Sequence, residues 1–164
     1  MECGIDSGLF TPQLSAFSIV ESLTDDDRAL LSSYGEFLSF QPGQPIFEEG
    51  QNIEVLTLMV SGRVLLSRKH EAGTITLGYA EAGDCLGEVN LFNPGVAVST
   101  ATAEEFTQVW QITAQNLEEF LAVNPVAGGN LLVGLAVRLS TQLAQMHECL
   151  IRAQLATLSA TYLA

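Results

Sequence analysis

The side chains best suited to chemistry are few and scattered. Three cysteines, Cys3, Cys85 and Cys149, stand 82 and 64 residues apart. An odd, dispersed set offers neither a disulfide framework nor the CxxC pair of a metal or redox site, so Cys85 and Cys149 read as buried structural thiols. Two histidines, His70 and His147, are too few for a histidine-rich metal cage. Asp25-Asp26-Asp27 could hold a cation, but it follows Thr24, a good N-cap. Carboxylates in a first helical turn complement the unpaired N–H groups and the positive end of the dipole, so the triplet reads as a helix start. Trp110 and Tyr79 read as core or rim aromatics rather than stacking platforms. With no nucleophile–base pair and no glycine-rich triphosphate loop, the chain is not expected to be an enzyme.

Charge narrows the field further. Six basic residues face nineteen acidic ones, a formal charge of −13 over 164 residues. Nucleic-acid affinity rests on cations that displace phosphate counterions, so no nucleic-acid partner is expected. No apolar run approaches the roughly 20 residues of a membrane span, and Met1-Glu2-Cys3-Gly4-Ile5-Asp6 lacks the basic start of a secretory signal. A cytoplasmic protein without a membrane partner is the expectation. At 48% apolar and 15% charged residues the chain can build a core, and its length suits one domain.

Three stretches must position whatever site exists. Residues 1–34 carry two helical patterns, one over about Gln13–Leu23 with Leu14, Phe17 and Val20 on one face, the other starting at Thr24. Residues 35–113 hold nine of the fourteen glycines, set between short runs: Glu36–Phe40, Ile46–Glu48, Val55–Val60, Val64–Arg68, Thr74–Ala80, Val96–Ala103 and Phe106–Ile112. Short strands at regular glycine punctuation predict a small antiparallel barrel, roll or sandwich, with Val64-Leu65-Leu66 as the second arm of a hairpin turning at Ser61-Gly62-Arg63. Residues 114–164 turn helical: a short helix over Asn116–Val123, stopped by Asn124-Pro125, then a long one from about Val126 to near Ser159. Gly128-Gly129 and Gly134 should weaken its first turns. Leu132, Leu135, Leu139, Leu143, Met146 and Leu150 step along it by three or four residues, and only Arg138, Glu148 and Arg152 are charged beyond Pro125. So apolar a helix must bury one side on the β region and another against a second copy, which predicts a homodimer with those six residues at the interface.

Four segments resemble one family. Phe40-Gln41-Pro42-Gly43-Gln44-Pro45-Ile46-Phe47-Glu48-Glu49-Gly50 is similar to the opening strands of the cyclic nucleotide-binding domain, in particular the effector domains of bacterial catabolite activators. Leu56-Thr57-Leu58-Met59-Val60-Ser61-Gly62-Arg63-Val64 is similar to the next strand and its small-Gly-x-Val turn. Gly78-Tyr79-Ala80-Glu81-Ala82-Gly83-Asp84-Cys85-Leu86-Gly87-Glu88-Val89-Asn90-Leu91-Phe92 resembles the run into the phosphate-binding cassette, and Asn124-Pro125 with Leu135-Ala136-Val137-Arg138-Leu139 resembles the long dimer helix. The resemblance covers about residues 25–155. It implies a mainly β fold with flanking helices: a β-roll of the double-stranded β-helix or jelly-roll type, plus a long C-terminal helix.

It also implies a ligand site at Gly87, Glu88, Val89, Val98, Ser99 and Gln142. In that family a short helix presents its N–H groups to a cyclic phosphate, a glycine at the Gly87 position admits the ligand, and a glutamate at the Glu88 position accepts from the ribose 2′-hydroxyl. An arginine pairs the phosphate. Here its position falls on Val98, with Ser99 following, and no Lys or Arg occurs between Lys69 and Arg138. The family's base-contacting hydroxyl pair matches Gln142 and Leu143, with Thr141 beside them. Half of the ligand chemistry is absent.

The expectation is therefore a stand-alone regulatory or sensor domain with weak or altered ligand binding. Cyclic AMP and cyclic GMP bind weakly or not at all, and no cofactor is required. The alternative is a ligand-free structural or protein-interaction module on the same fold. A metal-dependent cupin-type enzyme, a third class on a similar roll, needs converging histidines that this chain lacks. Because the chain ends at Ala164, no helix-turn-helix domain is expected after the long helix, and a regulated protein partner would be the output. A pocket filled by Val98, Phe92 or Leu143 would favour the ligand-free alternative; an open one would favour the sensor.

Overall fold

The computed structural model describes residues 12–162, the side chains of Phe92, Thr157 and residues 159–162 excepted. Cys3 and the first six residues lie outside them. A single 3₁₀ turn, Ser18–Val20, precedes α1 (Asp25–Tyr34). Ten strands follow: β1 (Glu36–Phe40), β2 (Pro45–Phe47), β3 (Asn52–Ile53), β4 (Val55–Ser61), β5 (Arg63–His70), β6 (Gly73–Glu81), β7 (Cys85–Leu86), β8 (Gly95–Val96), β9 (Thr100–Ala103) and β10 (Thr107–Thr113). A short helix α2 (Glu88–Phe92) interrupts them after β7, and α3 (Ala114–Val123) and α4 (Pro125–Tyr162) close the described chain. Thr24 and Thr113 cap α1 and α3, their hydroxyls accepting from the N–H of Asp27 and Asn116.

Two antiparallel four-stranded sheets form the roll, ordered β1-β10-β4-β7 and β2-β9-β5-β6, with β3 and β8 as a separate pair. Met59, Val64, Ala80, Leu86, Ala101 and Val109 fill the space between them. The first sheet is buried on both faces. Leu56, Leu58, Trp110 and Ile112 point the other way, into a second core with Leu14, Ile19 and Leu31, Leu117 and Phe120 of α3, and Leu131 and Leu135 of α4. This two-sided burial explains the nearly unbroken apolar run of β4. Among the described residues no helix is long and apolar enough to cross a membrane.

Several expectations need correction. The helix over Gln13–Leu23 is only the 3₁₀ turn, because Ser18 sits at φ 53°, outside the right-handed region, while its hydroxyl donates to the Gly83 carbonyl. β4 and β5 are not hairpin arms: β10 and β7 already occupy both edges of β4, so β5 belongs to the other sheet and its hairpin partner is β6. The run Val96–Ala103 is two strands, since Val96 pairs with Asn52 while Thr100 pairs with Ser67. Cys149 is exposed; among the described residues only Cys85 is a buried thiol.

The glycines of α4 do not interrupt it: the helix runs unbroken from Pro125 to Tyr162. Gly134 is there for close approach: a Cβ would collide with the Ile19 backbone, whereas one at Gly129 would meet nothing within 4 Å. Opposite effects are expected from one substitution. Gly129→Ala should stabilise by up to about 1 kcal/mol through helix propensity. Gly134→Ala should destabilise, the overpacking cost of roughly 1–3 kcal/mol exceeding that gain. Thermal melts of the two variants check this, and a higher Tm for both would show that the contact is dispensable.

Candidate ligand pocket

The pocket is assembled from the turn after β7. Gly87 caps α2 at φ 80°, and its Cβ, if present, would lie 2.5 Å from the Val55 carbonyl oxygen. Only glycine meets both demands. Its carbonyl then accepts from the N–H of Asn90 and Leu91, each at 3.1 Å, which closes the single turn of α2. Between α2, the β8–β9 connection and the middle of α4 lies an open pocket of about 350 Å³. Gly87, Glu88, Val89, Val98, Ser99 and Gln142 all line it. The structure thus gathers these six residues of the family pattern, across 56 positions of sequence. Val98 does not fill the pocket, being 71% exposed at its edge, and Leu143 is exposed and outside the lining. The Phe92 side chain is outside the described residues.

The lining has an apolar wall that includes Phe47, Ile53, Leu66, Leu86 and Val96, and it contains no Lys, Arg or His. Its carboxyl is Glu88, 8% exposed. Burial pushes this carboxyl above its ordinary value. The hydrogen bonds it accepts from its own backbone N–H and from the Gln142 side chain, together with the Arg138 charge, pull the other way. Beside it Cys85 is 2% exposed, and burial, reinforced by the Glu88 charge, pushes the thiol up to about 12. That thiol is no nucleophile at neutral pH.

The nearest cations are committed elsewhere. Arg138 of α4 pairs with Asp84 in the turn between β6 and β7 and lines an adjoining cleft rather than the pocket. The other oxygen of Asp84 accepts from the Glu81 N–H at 2.8 Å, so one carboxylate fastens the turn to the long helix. Arg63 lies 3.7 Å from Glu81 and 3.5 Å from Glu104 and stacks 3.9 Å from the Tyr79 ring centroid. Sequence reasoning missed the Arg138–Asp84 clasp. Its one signal was that Arg138 is the first cation after Lys69, set in an otherwise apolar helix.

Glu88 gives a signed pH prediction. Its folded-state pKa lies above the unfolded one, so its contribution is fully present below the unfolded value of roughly 4.3 and is lost as pH rises through the folded value. Glu88→Gln removes the buried charge and keeps an acceptor for Gln142. It should raise Tm at neutral pH, with the difference vanishing below about pH 4. A loss of stability at every pH would mean instead that the fold needs the carboxylate.

A roll with a glycine-capped turn and a loop facing a long helix across an open pocket is the build of a regulatory domain. The family model described as "Cyclic nucleotide-binding domain" matches residues 37–124, and the chain belongs to that family. It is 30% identical over 122 residues to the cyclic AMP receptor protein of Thermus thermophilus, covering 74% of this chain and 56% of that protein. The chain thus spans little more than half of this relative. The N-terminal domain of a transcriptional regulator from Streptomyces coelicolor superposes with a TM-score of 0.67 at 26% identity, over 78% of this chain and 90% of that one. A cyclic nucleotide-binding domain from Methylobacillus flagellatus shares the fold at a TM-score of 0.75 and 17% identity, over 89% and 92% of the two chains. The mainly β fold with flanking helices and the family resemblance stand as expected.

Along α4, Leu132, Leu139, Leu143, Met146 and Leu150 lie on one side, with Leu139 half-buried and the others exposed. Leu135 is corrected: it is 2% exposed and belongs to the core. At 3.6 residues per turn it stands on the flank of the stripe nearest the roll.

Proposed function

We propose that this cyclic nucleotide-binding-like regulatory domain is a sensor that keeps the family pocket and has given up the phosphate. The observation that carries this reading is an open pocket lined by all six site residues and by no basic side chain. Charge-assisted hydrogen bonds contribute about 1.5–3 kcal/mol each, and a guanidinium makes two to a phosphate. Losing about 3–5 kcal/mol weakens binding by on the order of 10²- to 10³-fold or more. Cyclic AMP and cyclic GMP are then weak ligands at best, and no cofactor is needed. Calorimetric titration of the wild type should show neither nucleotide binding more tightly than about 100 μM. Micromolar binding would overturn the reading.

The working unit is a homodimer joined through α4, supported by its exposed leucine stripe, and its output is a regulated protein partner. The charge of −13 argues against nucleic acid as a direct partner of this chain. The domain is non-enzymatic and cytoplasmic; His70 and His147 stand exposed, one at the end of β5 and one on α4. A ligand-free interaction module is the second reading, favoured by the apolar exposure of α4 at Ile151, Leu155 and Leu158 beyond that stripe.

A further inference from the structure

Removing the arginine from a cyclic nucleotide pocket does not leave a neutral hole. The glutamate that faces a ribose in the family is still present, and here it is the carboxyl of a lining without any Lys, Arg or His. Gln142 donates to that carboxylate, and its own Oε1 is buried with no hydrogen-bond partner among the described residues. Beside that carboxylate sits an amide oxygen that is unsatisfied and closed off from the open space. Both are acceptors, and a buried acceptor left unmade is costly. What the lining lacks is a cation.

Building on the sensor reading, we infer that the pocket takes a small apolar molecule carrying a cationic amine, its ammonium lodged against Glu88 and its body against Phe47, Ile53, Leu66 and Val96. An ammonium brings three donors and no acceptor, which suits the Glu88 carboxylate. Its charge answers the one that burial makes unfavourable on Glu88. An anion would face that same charge with no cation in the lining to balance it. A cavity of about 350 Å³ has room for an aromatic ring and a short chain but not for a large cofactor. The overall charge of −13 draws cations toward the surface and repels anions. Arg138 does not compete, because Asp84 holds it on the far side of Gln142, in the adjoining cleft.

Three probes of nearly one shape test the class: 2-phenylethylamine, 2-phenylethanol and phenylacetate, titrated at pH 7.5 with ligand-observed NMR and calorimetry on the full chain. The amine should bind at least about tenfold more tightly than the alcohol, and phenylacetate should not bind. Glu88→Gln should weaken the amine about tenfold and leave the alcohol unchanged, and Val98→Arg should abolish the preference. Amine affinity should fall as pH drops through the titration of Glu88, whose charged and titratable surroundings are Asp84, Cys85 and Arg138. Equal binding of amine and alcohol, or tighter binding of phenylacetate, overturns the inference. So does failure of all three probes while Val98→Arg binds cyclic AMP, an outcome that leaves the open-pocket reading standing. If no probe binds and Val98→Arg binds no nucleotide either, the inference and the sensor reading fall together.

Discussion

Val98→Arg should raise the affinity of the domain for cyclic AMP over that of the wild type by on the order of 10²-fold. The position stands at the pocket edge, 71% exposed, so a longer side chain meets no core to displace. Ser99 follows it, and Gly87 and Glu88, the positions at which the family meets its phosphate and ribose, line the same pocket. A guanidinium at Val98 would also relieve Glu88 of being the pocket's unbalanced charge. Recovery should remain partial, since Gln142 and Leu143 replace the hydroxyl pair that contacts the base in the family. Calorimetry with Val98→Arg beside the wild type measures it. If the variant folds and gains no affinity, the loss of the cation was not the reason for weak binding, and the pocket itself must differ.

The second large effect concerns assembly. Light scattering of the wild type at tens of micromolar should report about twice the 17.6 kDa chain mass. Leu139→Glu with Met146→Glu should return it to the monomer. Both residues lie on the stripe that leaves the roll, seven positions apart, and Met146 is 66% exposed. A symmetric seam would bury each against its copy, and two carboxylates per helix placed there would face two more at close range. Because neither side chain is among the buried core residues, the double variant should keep its melting cooperativity. A wild-type monomer at that concentration would reject the dimer, and a double variant still at twice the mass would move the seam to another face of α4.

How much of this could be read from the sequence depends on what each signal encodes. β1 was placed to the residue and β4 to within one, because apolar runs bounded by glycine or by a change in polarity mark where burial starts and stops. Which strands pair is another matter. Nothing in Ser61-Gly62-Arg63 says that both edges of β4 are already taken, so adjacency was mistaken for a hairpin. The two-residue strands β3 and β7 are too short to carry any periodicity. Site residues were legible through the family pattern, because the pattern fixes spacing around Gly87 and Glu88. The Arg138–Asp84 clasp joins residues 54 apart, and no local rule reports such a pairing. Leu135 was misassigned because a stripe stepping by three and four is wide enough to cover two faces of a helix.

That clasp fixes a fulcrum. Arg138 is held to the roll, while from Leu143 onward the described side chains of α4 are exposed and touch no part of it closely enough to be covered. Tyr162 lies 24 residues farther along the helix, an arm of about 36 Å at 1.5 Å per residue. A tilt of only about 5° at the fulcrum would carry its tip by about 3 Å, comparable to half a helical turn. Gln142, which touches the pocket carboxylate, sits one turn from the fulcrum. Displacements too small to reshape the roll are thus magnified at the far end of the helix.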